Sequence, residues 1–407
     1  MFEQIFQYLD EKRDEVIRLQ KALVPLKGLG PDNDGPGEWD KADFLLAYLR
    51  EIGVPELQEL PAPDDRAERG SRPNIAARMP GRSQDRTFWI IAHTDIVPSG
   101  DLSLWNTDPF TLAVDGDFVI GRGVEDNHQG MVSGILVMEA LLKLNITPRI
   151  NFGLLLVADE ETGSKYGLDY VVRHHPELFT QDDLFLVPDF GNPTSDMVEV
   201  AEKSMLWLKL TVKGRQCHAS TPQEGVNSLV AAADLILRVK GLVRDFAAQD
   251  ELFAPSHSTF EPTRKEPNVP NINTIPGLDV FYLDCRILPE YDVEDVIRRV
   301  REYADETAAR YSVSVDIETV QKEIAAPPTD PKSEVVTRLC SAIETVYAVT
   351  GKPTGIGGGT VAAFLRRQGY KAAVWSTLIH NAHQPNEHSS ISKTIGDAQV
   401  MAHMALG

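Results

Sequence analysis

Phe152-Gly-Leu-Leu-Leu-Val-Ala-Asp-Glu-Glu-Thr-Gly-Ser164 is a short apolar run that ends in three consecutive acids. Leu154 to Ala158, bounded by turn formers, suits a strand buried on both faces of an α/β sheet better than a helix. In open α/β sheets, ligands collect in the crevice beyond the carboxyl ends of the strands. Asp159, Glu160 and Glu161 stand at such an end, and carboxylates this close repel one another unless a cation or proton compensates. Taken alone, the stretch reads equally as a solvated acidic turn. Other strand ends tilt the balance.

Thr87 to His93 is the preceding buried strand, and it runs into His93-Thr94-Asp95. On extended chain, residues two apart point to the same side, so His93 and Asp95 face one place. A nearby carboxylate is what holds the second nitrogen of a ligating imidazole. Gly121-Arg-Gly-Val-Glu-Asp126 leads into a helix of about Gln129 to Leu144, where an acid also serves simply to stabilise the first turn. His128 beside it reads as a solvated first-turn histidine or a ligand. Asp183 to Val187 is a further apolar strand, stopping at Pro188-Asp189-Phe190-Gly191. Near the end, Ala372 to Thr377 is strand-like and leads into His380-Asn-Ala-His383-Gln-Pro-Asn386-Glu387-His388.

The flanking segments are helical or loop-like. Residues 2–23 form an amphipathic stripe, residues 38–52 a second helix ending at Gly53, and the charged stretch Asp64 to Arg72 an exposed excursion. From about Ser204 the pattern becomes the alternation of a half-exposed antiparallel strand. A helix at about 228–243, strands near 271–274 and 279–286, a helix at 293–307 and a strand at 312–319 follow. That β-α-β-β-α-β order is the ferredoxin-like unit. The expected organisation is a first domain of residues 1–204 and 326–407, with residues 205–325 inserted. After the helix 334–349, Gly355-Ile-Gly-Gly358-Gly359-Thr360 lacks the lysine of a phosphate-binding loop; it is a plain glycine turn or an N–H cradle for a substrate anion.

A length of 407 residues favours two domains. The net charge of −20 argues against nucleic-acid or anionic-membrane partners. Cys217, Cys285 and Cys340 match no zinc-ribbon spacing and leave an odd thiol, which suits a reducing compartment. With an early-charged N-terminus and no apolar run near the ~18 residues of a membrane span, the expected location is cytoplasmic.

In this order, H-x-D, G-R-G-x-x-D, D-E-E-x-G-S, Asp189 and H-x-x-N-E resemble the motifs of the co-catalytic zinc peptidases. That family contains succinyl-diaminopimelate desuccinylase, acetylornithine deacetylase, aminoacylase, glutamate carboxypeptidase and carnosinase-type dipeptidases. The resemblance covers nearly the whole chain. It implies an α/β catalytic domain, a mixed sheet flanked by helices, and an inserted ferredoxin-like α+β lid and dimerisation domain.

Carried over position by position, the resemblance implies two zinc ions, with cobalt or manganese as substitutes. His93 binds one metal and His383 the other, Asp126 bridges both, and Glu161 and Asp189 complete the two sets. Asp95 orients His93, and Glu160 is the general base. The Asp126–Asn127 peptide is expected to be cis. Gly214-x-x-x-His218 resembles the segment whose histidine reaches the neighbouring subunit's site and stabilises the oxyanion. Asn273 and Arg286 resemble the residues that bind the substrate's carboxylate, and Gly358, Gly359 and Thr360 the substrate cradle.

The chain departs from the family where Val361-Ala362 follows the cradle. It departs again where Asp126-Asn127-His128 stands in place of D-x-K. The expected function is hydrolysis of the amide bond of a small peptide or N-acyl amino acid with a free carboxylate, in a homodimer without nucleic-acid or membrane partner. The alternative is a catalytically silent metal-binding relative that acts as a binding or scaffold protein; Glu160 is the residue such a protein could lose.

Overall fold

The run around Leu154 is a strand, Asn151–Val157, with every residue buried. In the computed structural model, which describes residues 1–407, it lies inside an eight-stranded sheet. The order is Glu56–Glu59, Ile75–Met79, Asn151–Val157, Thr87–His93, Leu184–Gly191, Lys371–Ser376, Met197–Glu202, Lys352–Ile356. Its four middle strands are mutually parallel, and antiparallel pairs flank them. The near-continuous apolar sequences of the middle strands follow from burial on both faces.

On one face Trp89, Ile91, Leu155, Val157, Phe185, Val187 and Val374 pack with Leu168, Val171 and Leu365 of the helices Leu168–His174 and Ala362–Arg367. On the other, Ile90 and Leu154 meet the helix His128–Lys143 at Gly134, where a Cβ would press on the Leu154 side chain. The C-terminal helix Ile391–Leu406 covers this layer, packing on His128–Lys143, Glu334–Tyr347 and both N-terminal helices. Because the middle strands are parallel, their carboxyl ends lie along one edge of the sheet. That edge collects the segments after His93, Val157 and Ser376, together with Asp189.

The chain divides into two compact units: Met1–Val200, Thr329–Pro353 and Thr360–Gly407, and, separately, Ala201–Pro328 with Thr354–Gly359. In the second unit, an antiparallel sheet runs Thr259–Lys265, Leu278–Ile287, Ser204–Lys213, Ser314–Glu323. The helices Ser228–Val239 and Val293–Tyr311 cover one face. Leu206, Leu208, Leu210 and Val212 alternate into that core, while Trp207 and Lys213 stay exposed.

Several boundaries differ from the sequence reading. The first amphipathic stripe is two helices, Phe2–Asp10 and Arg13–Leu23. The second strand of the ferredoxin-like unit is Thr259–Lys265, not the segment near 271–274. Pro262 obscures it in sequence; proline is tolerated because this is an edge strand with a register shift between Pro262 and Arg264. Thr274–Ile275 instead pairs with Cys217–His218 in a two-residue ribbon. Gly355 and Ile356 belong to a strand rather than a turn. The stretch from Asp64 to Arg72 is not wholly exposed, since both end residues are buried.

Candidate active site

His93 is the last residue of its strand and is buried. Its Nε2 lies 2.8 Å from Asp126 Oδ1 and 3.4 Å from Asp189 Oδ1. Its Nδ1 faces Asp95, 3.1 Å from the carbonyl oxygen and 3.3 Å from Oδ1. The Asp95 carboxylate also accepts the backbone N–H groups of Glu160 and Glu161, each at 3.0 Å. One acid therefore orients the imidazole and fixes the turn after the next strand.

That turn begins at Asp159, whose φ of 62° is left-handed. Asp159 points away from the neighbouring acids: it accepts from Arg72 at 3.3 Å, from Tyr166 N at 2.9 Å and from the Thr162 hydroxyl. Arg72 is fully buried and also pairs with Glu38. The acidic triplet is thus divided, with Asp159 anchored behind the site and Glu160 and Glu161 in front. Burial and then Asp189 push the Glu160 carboxyl well above its ordinary pKa.

Asp126 and His383 come from separate loops. The Asp126–Asn127 peptide is cis, and the helix starts at His128. His383 Nε2 lies 3.2 Å from Asp126 Oδ2 and 3.1 Å from Glu161. Two candidate ligand groups result: His93, Asp126 and Asp189, and Asp126, Glu161 and His383, with donor atoms in each within 4.8 Å of one another. Asp126 is common to both and turns one oxygen to each histidine. Burial opposes its ionisation, yet hydrogen bonds from His383 and His93 hold it far below the usual carboxylate range. Burial lowers the His93 pKa, but Asp189 and Asp126 outweigh it and leave it well raised. His383 is pushed up to about 10 by Asp126 and then Glu161.

Asn127 donates to Pro188 O at 2.8 Å and to Asp189, fixing that side chain. The approach is close: a Cβ at Gly130 would lie 2.6 Å from Pro188 O, so glycine lets the helix start reach the Asp189 strand. Glu387 is buried and accepts from Gly123, Glu125 and Asp126 backbone N–H groups and from Arg122. Burial pushes its carboxyl up to about 7. Glu125 in turn accepts the N–H groups of Ile379 and Asn381. These supporting roles were invisible in the sequence, although Glu387 stands inside the quoted H-x-x-N-E pattern.

Of the other histidines in that segment, His380 is exposed against Phe190 and His388 lies edge-on to Phe118. His128 is neither solvated nor in a ligand group. It is buried, with Nε2 on Lys41 and Nδ1 on Gln20, because Gly123, φ 88°, leaves room for the ring. Burial and then Lys41 push its pKa well below the ordinary value.

In the second unit, His218 is exposed; its Nδ1 lies 2.7 Å from the Ser220 hydroxyl and its Nε2 3.5 Å from Asn273 Nδ2. The Arg286 fork spans both oxygens of Asp284 at 2.9 and 3.0 Å, and Nη1 donates to Gly357 O at 2.9 Å. Gly358 and Gly359 follow directly. Thr360 opens the next part of the first unit and accepts the Ala363 N–H.

The donor set fits divalent cations: imidazole nitrogens and carboxylate oxygens without thiolate suit zinc, and the convergent acids need positive compensation. Residues 89–407 match the family model described as peptidase family M20/M25/M40. A metallohydrolase of Methanocaldococcus jannaschii is 39% identical over 403 residues, covering 95% of this chain and 98% of that one. A succinyl-diaminopimelate desuccinylase of Nitratiruptor is 26% identical, covering 92% and 95%. Among solved structures, the dipeptidase Dug1p of Saccharomyces cerevisiae superposes with a TM-score of 0.73 at 17% identity, over 100% of this chain and 98% of that one. No helix is long and apolar enough to cross a membrane. The chain belongs to peptidase family M20/M25/M40, and it is a metal-dependent hydrolase acting on amide bonds.

Proposed function

We propose that the chain cleaves the amide bond of a small peptide or N-acyl amino acid bearing a free carboxylate, working with two zinc ions or, in their place, cobalt or manganese. The observation that carries this reading is Asp126, whose Oδ1 lies 2.8 Å from one histidine and whose Oδ2 lies 3.2 Å from the other. His93 and Asp189 would hold one cation, His383 and Glu161 the second, and Asp126 both. When bound, such cations polarise a scissile carbonyl and lower the pKa of water.

The protein's own groups do the rest. Asp95 keeps His93 oriented through Nδ1. Glu160 takes a proton from the attacking water as its oxygen bonds to the carbonyl carbon, then gives it to the amine as the C–N bond breaks. His218 donates to the developing oxyanion, and it does so in the partner subunit of a homodimer. Arg286 and Asn273 receive the substrate carboxylate, with Gly358, Gly359 and Thr360 as the backbone cradle. The free thiols Cys217, Cys285 and Cys340 suit a cytoplasmic setting.

The test is a hydrolysis screen of the metal-loaded protein against dipeptides, N-acetyl and N-succinyl amino acids. Cleavage of at least one class, abolished by chelation and restored by metal, is expected. A protein that binds two metal equivalents yet cleaves none would instead fit the binding-protein alternative.

A further inference from the structure

Beneath the Asp126 loop runs a polar chain that the two ligand groups leave unused. Lys41 is fully buried, and its ammonium is bonded to an imidazole rather than a carboxylate, 2.9 Å from His128 Nε2. An ammonium only donates, so Nε2 accepts and the ring proton sits on Nδ1. Nδ1 donates to Gln20 Oε1 at 3.2 Å, and Gln20 Nε2 donates to Val124 O at 3.1 Å. The chain ends on the backbone two residues before Asp126. The direction of the chain is set at its start, because an ammonium cannot accept.

A charge in a dry interior is costly unless its surroundings compensate it. Burial lowers the Lys41 pKa to about 8, and Asp95, Glu38 and Glu387 work against that shift and favour its charge. Asp95 accepts the N–H groups of Glu160 and Glu161, and Glu387 those of Gly123, Glu125 and Asp126. Glu38 holds Arg72, which holds Asp159. The ammonium is therefore favoured electrostatically by three acids that support the ligand-bearing turns. Lys41 and Gln20 lie in helices Trp39–Ile52 and Arg13–Leu23, outside residues 89–407 that the family model matches. Position 128 is also where this sequence has histidine in place of the lysine of D-x-K.

We propose that Lys41 is a positioning residue: through His128 it delivers to the underside of the Asp126 loop the positive charge that a D-x-K sequence supplies from position 128 itself. The inference rests on reading the centre as a metal site. It concerns the support of that centre, not its substrate.

The experiment uses cobalt as the probe, read by its visible spectrum and dissociation constant in the full-length protein, with thermal melting of the metal-free form alongside. K41Q keeps a donor for His128 Nε2 but removes the charge; K41M/H128K removes the charge from 41 and restores it at 128. K41Q is expected to fold, to bind cobalt about 10–100-fold more weakly, as when outer support of a metal site is lost, and to change the spectrum. K41M/H128K is expected to regain wild-type affinity and spectrum. Equal or tighter binding by K41Q would overturn the proposal, because removing a merely repulsive cation strengthens metal binding. A folded double variant no better than K41Q would overturn it too. If the double variant does not fold, K41Q alone decides. Because neither readout needs a substrate, failure of the hydrolysis screen with a normal wild-type cobalt spectrum would count against the proposed reaction only.

Discussion

Glu125 and Glu387 hold each other's loops. The Glu387 carboxylate accepts the backbone N–H groups of Gly123, Glu125 and Asp126 at 3.0, 2.9 and 3.1 Å. The Glu125 carboxylate accepts those of Ile379 and Asn381 at 2.5 and 2.7 Å. One loop carries Asp126 and the other His383, so the exchange brings together the two residues that meet at 3.2 Å.

Glu387→Gln should therefore loosen both loops. The amide loses charge and one acceptor oxygen while four donors remain, at a cost of about 3 kcal/mol from the broken buried pair with Arg122 and unpaired N–H groups. Urea denaturation of the metal-free protein checks the stability, and metal titration should show weaker binding. An unchanged midpoint with unchanged slope would mean that the loops are held by other contacts.

Arg72→Met removes the partner of buried Glu38 and Asp159 and should destabilise by about 3–5 kcal/mol, the range for an orphaned buried charge. Turnover should fall as well, because Asp159 begins the turn bearing Glu160. A melting temperature within a degree of wild type would exclude the ion pairs as a structural anchor.

Glu160→Gln should leave melting and metal content near normal while lowering kcat by about 10²–10⁴, the contribution of general-base catalysis. Single-turnover kinetics at saturating substrate read this directly. Full activity in the variant would remove Glu160 from proton transfer.

Metal and protons should compete for the histidines. In the metal-free protein His383 is raised from 6.5 to about 10, chiefly by Asp126. The stability this charge contributes is present below about pH 6.5 and is lost as pH rises through about 10. Metal affinity should rise across the same window, with protons released on loading. Calorimetry in buffers of different ionisation enthalpy measures that release. Zero release at pH 7 would show that the histidines are already neutral.

The assignment of His218 to a partner's site can be tested by mixing inactive His218→Ala and Glu160→Ala proteins. In a re-equilibrated heterodimer one site has both groups and the other neither. Activity should return to about a quarter of wild type, since half the dimers are mixed and half their sites whole. No recovery despite demonstrated subunit exchange would confine His218 to its own chain or remove it from catalysis.

The sequence by itself determined the buried core strands and the candidate residues at their ends. Buried parallel strands are written as apolar runs, and the polar residues that end them fall at one sheet edge, so position alone made His93, Glu160, Glu161 and Asp189 candidates, and the family resemblance supplied their expected roles. The ferredoxin-like order was also legible, except where Pro262 disguised an edge strand. What only the tertiary structure decided is which charges face one another. Asp159 and Glu160 are neighbours of the same type, yet a left-handed residue turns one toward Arg72 and leaves the other in the site. Lys41 and His128 are 87 positions apart, and Glu125 and Glu387 262 apart. A buried charge leaves no periodic mark in a sequence, because its partners are chosen by packing across the sheet edge rather than by spacing along the chain.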